Sequence, residues 1–223
     1  MTMPDPCMFA NLVPSGLRRR SGAVFYSGRA AFTGTRPLYL LGLNPGGDPE
    51  AQAGETIGED LARWQNGDER WSAYIDRSWR NTEVGTYGIQ PRIRHLFDRL
   101  DIDLRETPSS NVIFVRTKDE TSLAASKQSL LDECWPLHRT IIDALGIQTV
   151  ICLGGTAGRW ARSMLGAEQL VGRFVESNSR RWTSEAHLNA RGTRVLTLTH
   201  PGRADWRNPN ADPTPLVRDM IEF

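Results

Sequence analysis

Three polar side chains stand where short apolar runs meet turn residues. Asn44 lies in Gly42-Leu43-Asn44-Pro45-Gly46, Asn111 in Ser109-Ser110-Asn111, and His200 in Thr199-His200-Pro201-Gly202. A carboxamide presents a donor and an acceptor side by side, so it can match a neighbouring carbonyl and N–H pair on a ligand. It is too weak a base to take up a proton, so its catalytic use is positioning and charge stabilisation. A neutral imidazole at a fixed site can donate a hydrogen bond to negative charge developing on a departing group. Each residue also has a plainer reading, because Asn-Pro-Gly and His-Pro-Gly make turns wherever they occur. An Asn near a strand start often satisfies backbone groups instead. Gly154-Gly155-Thr156-Ala157-Gly158 lacks the Walker lysine and the dinucleotide spacing, so it reads as tight strand-to-helix packing before a phosphate cradle. Asp48 reads as a local cap, and His95, His138 and His187 have no ligand-like spacing.

These residues need elements to carry them. Apolar runs at Leu38–Asn44, Asn111–Arg116, Thr149–Gly154 and Arg194–His200 show little alternation, as expected of strands covered on both faces. Ile93, Leu96, Phe97 and Leu100 share one helical face, and Leu123–Leu145 continues that periodicity. Further helices are expected from Thr156 to before Gly166 and from about Thr214. The alternation predicts an α/β protein: a three-layer α/β/α sandwich on a central, mainly parallel, four-stranded sheet. Ligands in such sheets bind beyond the carboxyl ends of the strands.

Two stretches interrupt the rhythm. Residues 46–88 are an insertion after the first strand, with Trp64, Trp71 and Trp79 at roughly helical spacing as its hydrophobic anchor. Residues 172–192 are polar and read as an extra hairpin or an irregular excursion. Residues 1–36 read as an N-terminal extension packed on the domain as a small hairpin or loop. Within 223 residues there is room for one domain with a proper core, 1–223, and not for two large ones.

Composition narrows the class. With a formal net charge of +1, nucleic-acid contact must come from local basic patches. Lys occurs only at 118 and 127, leaving the cationic work to Arg; Arg suits bidentate phosphate contacts, although GC-rich coding gives the same bias. Cys7, Cys134 and Cys152 form no CxxC pair, which argues against a disulfide framework and against zinc or iron–sulfur sites. Met1-Thr2-Met3-Pro4-Asp5-Pro6 carries no apolar signal core, and no apolar run reaches membrane length. The expectation is a soluble, cytoplasmic monomer without metal or organic cofactor.

Gly42-Leu43-Asn44-Pro45-Gly46 resembles the first motif of the uracil-DNA glycosylase superfamily, in the form of its mismatch-specific and single-strand-selective branches. His200-Pro201-Gly202 resembles the second motif, usually His-Pro-Ser, and the two occur in the family's order. The resemblance covers roughly Leu38 to the C-terminus, with 46–88 aligning poorly. It implies that the fold is uracil-DNA glycosylase-like and that the chain is a monofunctional DNA glycosylase. Such an enzyme flips uracil or another deaminated or damaged base out of the stack and hydrolyses its N-glycosidic bond.

The resemblance also assigns roles. Asn44 would orient the attacking water, and His200 would stabilise the departing base. Asn111 would read the polar edge of the base, with Gly42 and Pro45 shaping the pocket. Tyr87, in Gly85-Thr86-Tyr87-Gly88, is the expected stacking aromatic, with Trp79 next. Gly202, Arg203, Trp206 and Arg207, in the loop after His200, would contact DNA or fill the vacated stack. Gly202 stands where the family usually has Ser, and Asn44 where its best-known branch has an acid. Two other readings stay open: a nucleic-acid or nucleotide-binding protein of this fold without catalysis, and an α/β enzyme acting on a free nucleoside or nucleotide.

Overall fold

A computed structural model describes residues 5–221; residues 1–4 of the N-terminal extension, with most of the Met1–Pro6 stretch, and residues 222–223 lie outside it. The helices are α1 (Cys7–Asn11), α2 (Ile57–Asn66), α3 (Gln90–Leu100), α4 (Lys127–Leu145), α5 (Gly155–Leu165) and α6 (Thr214–Met220). The strands are β1 (Leu38–Gly42), β2 (Ser109–Asn111), β3 (Thr149–Leu153), β4 (Gln169–Val175), β5 (Thr183–Leu188) and β6 (Arg194–Leu198). They form one mixed sheet in the order β2-β1-β3-β6-β5-β4.

Every residue of β1 and β3 is buried, which explains their unbroken apolar sequences. Alternate residues serve opposite faces. Tyr39, Leu41, Val150, Cys152 and Val195 pack with the apolar sides of α4 and α5. Leu38, Leu40, Ile151, Leu153 and Leu196 pack with α3 and α6. Helices therefore cover both faces of the α/β domain. Among the described residues, no helix is long and apolar enough to cross a membrane.

The expected four-stranded sheet has six strands. β2, β1, β3 and β6 are mutually parallel, while β5 and β4 add an antiparallel hairpin on the far side of β6. Of the two readings of 172–192, the structure takes the hairpin; its polarity reflects β4, an edge strand with no fully buried residue and so no apolar run. The second strand also differs: it ends at Asn111 rather than beginning there. Residues beyond it continue as single bridges, Val115 with Gly22 and Thr117 with Gly46. Helix α4 begins at Lys127, after a separate 3₁₀ turn at Thr121–Leu123.

The N-terminal extension covers the β2 edge: the Phe25–Ser110 and Gly22–Val115 bridges run antiparallel to it. Within the insertion, a Thr56–Glu59 capping box starts α2. Trp64 of that helix donates Nε1–H to the Ser27 carbonyl at 2.8 Å and packs 4.2 Å from the Phe25 ring, fastening the insertion to the extension. Trp71 and Trp79 lie beyond the end of α2 in irregular chain, so the helical spacing of the three tryptophans does not reflect one helix.

His138 of α4 lies fully buried between two polar partners. Tyr39 Oη donates to Nδ1 at 2.8 Å, and Nε2–H donates to the Val112 carbonyl at 3.2 Å. Burial pushes its pKa from 6.5 down to about 4. The unfolded chain therefore binds a proton between these values and the folded chain does not. Stability should be full above pH 6.5 and fall as pH drops toward about 4, by about 3 kcal/mol from this residue. Urea unfolding between pH 7 and 4 should show that slope, and His138→Gln should reduce it.

Candidate functional site

Because β2, β1, β3 and β6 are parallel, their carboxyl ends open on one edge. Gly42 pairs with Asn111, Leu41 with Cys152, and Leu153 with Leu198. At about 4.8 Å between strands, the ends of β2 and β6 stand roughly 14 Å apart, with β1 and β3 between them. The chain leaves these ends through Asn111, through Asn44, through Gly154, and through His200. The expected reader, water-positioning group and leaving-group donor thus come together on one rim.

Asn111 is 5% exposed, and its Nδ2 has no hydrogen-bond partner. An orphaned buried amide donor costs about 1–3 kcal/mol, so a group left this way needs a reason. The Tyr26 hydroxyl lies close enough to feel the Asn111 amide, but no hydrogen bond of normal geometry joins them. Burial pushes the Tyr26 phenol up, and the Asp60 carboxylate adds to that rise. Gly42 is what admits the Asn111 side chain: a Cβ there would fall on Asn111 Oδ1.

Asn44 is half-buried and locally committed. Its Nδ2 donates to the carbonyls of Pro45 (3.0 Å) and Val115 (3.3 Å) and to Thr117 Oγ1 (2.9 Å). Thr117 spends its own hydroxyl proton on the Asp119 carbonyl, so it can accept. Two carbonyls around one end fix that end as nitrogen and leave Oδ1 as the acceptor for a ligand or water. Pro45 is buried and closes the turn. Asp48 behaves as a local cap, accepting from Glu50 N–H and pairing with Lys118 at 3.1 Å.

His200 is half-buried between glycines. A Cβ on Gly154, which sits at φ 103°, would touch the ring edge at 3.4 Å, and one on Gly202 would meet Nδ1 at 2.9 Å. Gly202 N–H donates to Nδ1 at 2.9 Å, which places the ring proton on Nε2. Burial lowers the His200 pKa, Arg203 and Arg92 lower it further, and Glu120 opposes them. The imidazole is therefore neutral at pH 7 and presents Nε2–H as a donor. The Gly154–Gly158 run does pack tightly, since a Cβ on Gly158 would fall on Thr197.

The remaining expected residues divide. Tyr87 is half-buried under the Arg80 guanidinium, 5.6 Å from the ring centroid, and its carbonyl accepts from Gln90 N–H. Ile89 approaches within 3.7 Å of a Cβ built on Gly202, so this loop borders the His200 turn. Trp79 instead packs edge-on against Tyr74, 6.0 Å away. Arg203 is exposed, with no carboxylate partner among the described residues. Arg207 is exposed but held by both Asp205 oxygens at 2.9 Å. Trp206 is a correction: it is wholly buried, donating Nε1–H to the Thr199 carbonyl at 3.1 Å, so it anchors the loop and cannot enter DNA.

Sequence reasoning missed Tyr26, which comes from the extension and bears no motif. It also missed the hairpin residues Ser184 and Arg180, which hold the chain on either side of His200. Two surface clefts lie elsewhere. One, of about 320 Å³, adjoins Cys7 and Arg29; the other, of about 230 Å³, lies at the amino ends of β1 and β2 beside Leu38 and Pro108. In comparison with known proteins, no family model matches the chain, and no curated protein matches it.

Gly202→Ala tests the His200 geometry. Its Cβ would crowd Nδ1 and also Cε1, at 3.0 Å, displacing the ring from the Gly202 N–H. Nitrogen-detected NMR should show the His200 titration midpoint rising toward 6.5, with a stability loss of about 1–3 kcal/mol from overpacking.

Proposed function

We propose that this carboxyl edge binds an extruded nucleobase and hydrolyses its N-glycosidic bond, releasing uracil or another deaminated or damaged base from DNA. On this reading the chain is a monofunctional DNA glycosylase of uracil-DNA glycosylase-like fold, and DNA is its partner. The observation that carries the proposal is the buried, unpartnered Asn111 Nδ2 on the same rim as a neutral His200. A base carbonyl would give Nδ2 its acceptor, while Asn111 Oδ1 would accept from the adjacent ring N–H. The two motifs at the ends of the first and last parallel strands support the same reading.

The chemistry follows from the groups available. The water oxygen attacks the anomeric carbon as the bond to the base nitrogen breaks, and the bonding electrons leave with the base. Negative charge collects on the base carbonyl, where Nε2–H of His200 donates to it. Asn44 Oδ1 accepts a hydrogen bond from the water, aiming it at the sugar, and the proton released passes to solvent. No residue here is asked to be a strong base, and no cofactor enters the reaction. Arg203, exposed beside His200, would meet backbone phosphate. Arg207 would have to leave Asp205 to do the same.

A second reading draws on Asn44. Its nitrogen is tied to the loop, and Asp48, the nearest acid in sequence, is spent on Lys118. A fold with base recognition but little hydrolysis fits these facts too, as a nucleic-acid-binding protein without turnover.

Single- and double-stranded oligonucleotides carrying uracil, hypoxanthine or xanthine separate the readings. Base release is expected on at least one, falling about a hundredfold in His200→Ala, as for loss of one charge-stabilising donor. Asn111→Ala should weaken substrate recognition and discrimination between bases. Release unchanged in both Asn44→Ala and His200→Ala would overturn the active-site assignment. Binding without release by the native chain would favour the second reading, and no DNA binding even at low salt would remove both.

A further inference from the structure

The hairpin β4–β5 does more than extend the sheet, because its tip reaches the chain on both sides of His200. Just before His200, Thr199 N–H donates to Ser184 Oγ of β5 at 2.9 Å. Just after it, the Arg203 carbonyl accepts from Arg180 Nη1 at 2.7 Å. Arg180 is itself held on two further sides. Its Nη2 lies 3.3 Å from Glu176 Oε2, and its guanidinium carbon lies 4.4 Å from the Trp182 ring centroid. Glu176 is 1% exposed, and Oε2 also accepts from Asn178 Nδ2 at 2.7 Å. Ser177 adds a second strap further along: its N–H and Oγ reach the Asn210 carbonyl and Oδ1 at 2.9 and 2.8 Å.

A buried carboxylate is costly unless paired and hydrogen-bonded, and Oε2 of Glu176 is so held while its Oε1 is buried without a partner among the described residues. Here the carboxylate orients a planar cation, and the cation's second nitrogen grips a backbone carbonyl three residues beyond His200. Arg203 N–H and Ala204 N–H close the turn back on the His200 carbonyl at 2.8 and 3.1 Å. The turn that brings Gly202 N–H to His200 Nδ1 is thus held from outside at the Arg203 carbonyl. We propose that Arg180, oriented by Glu176, is a positioning residue that clamps the His200–Arg203 turn and so keeps the ring proton on Nε2. The proposal rests on His200 being the donor of the proposed reaction, but its test does not need turnover.

Arg203, Arg92 and Glu120 are the charged groups felt at His200, with Gly154 and Gly202 the nonpolar surfaces against it and Ile89 beside Gly202. Losing the clamp should loosen the turn, hydrate the ring and weaken the Gly202 bond, and each of these favours protonation. Arg180→Ala should therefore raise the His200 midpoint toward 6.5 and speed Gly202 amide exchange about tenfold. Glu176→Gln removes the opposite charge. A purely Coulombic effect would lower the midpoint in this variant, whereas loss of the clamp raises it. Arg173→Ala, on the same hairpin but paired outward with Glu185, should change neither observable.

If base release is measurable, Arg180→Ala should lower kcat about tenfold with little change in KM, as for a misaligned donor. Both variants raising the midpoint supports the clamp even if the native chain releases no base, which would then count against the proposed reaction alone. Opposite shifts in the two variants, or an unchanged Gly202 exchange rate in folded Arg180→Ala, would overturn the clamp. Should Arg180→Ala fail to fold, Glu176→Gln alone decides by the sign of its shift.

Discussion

The parallel pairing of β1, β3 and β6 sets the terms for everything else in this molecule. β1 and β3 bury all their residues and carry almost only apolar side chains along their length. Groups that must meet a ligand can then stand only where the strands stop. Parallel pairing puts those stops on one side, so Asn111, Asn44, Gly154 and His200 share a rim although they are far apart in sequence. The same geometry spaces them. A reader at β2 and a donor at β6 are separated by two intervening strands, and on the proposed reading a base with its sugar spans that gap.

Within the rim, small residues set the positions of large ones. Gly42 yields its Cβ space to Asn111 Oδ1, while Gly154 and Gly202 flank the imidazole. The backbone N–H of Gly202 then decides the tautomer, and burial with Arg203 and Arg92 decides the charge. None of these supports is strong alone, since a single hydrogen bond contributes about 1 kcal/mol net. Their agreement is what leaves one protonation state and one donor direction at neutral pH.

The parallel half of the sheet was legible because burial on both faces writes itself as apolar runs, such as Leu38–Leu41 and Thr149–Leu153. The polarity of 172–192 allowed a hairpin or an irregular excursion, and the structure takes the hairpin; it left the two open because an edge pair with one face largely in solvent needs no apolar run. Asn111, expected at the start of its strand, stands at its end. The apolar stretch after it, Val112–Val115, looks like strand yet is bridged only singly. Trp206 misled for a related reason: a tryptophan in a polar loop after a motif looks exposed, but its ring fills the core and its N–H finds Thr199. Tyr26 and Arg180 carry no local pattern at all. Their positions follow from how the extension and the hairpin fold back on the sheet, which no short window of sequence records.

On the proposed reading, the unpartnered Asn111 amide is the point where stability and recognition oppose each other. The fold could have answered Nδ2 with a carbonyl, as it does for Asn44, whose nitrogen has three acceptors. It leaves Asn111 open at a cost of about 1–3 kcal/mol, comparable to losing a buried methyl or two. A ligand that supplies an acceptor recovers that cost on binding, and one that lacks it leaves the amide unpaired a second time, with the exit to water closed. On that reading the site would reject the wrong ligand more strongly than an apolar pocket can, because discrimination by a missing hydrogen-bond partner exceeds discrimination by a missing methylene. Asn44 and Asn111 are the same residue type on adjacent strands, and their partners set them apart. The Asn44 nitrogen is held in place by the loop, while the Asn111 nitrogen finds no acceptor in the fold.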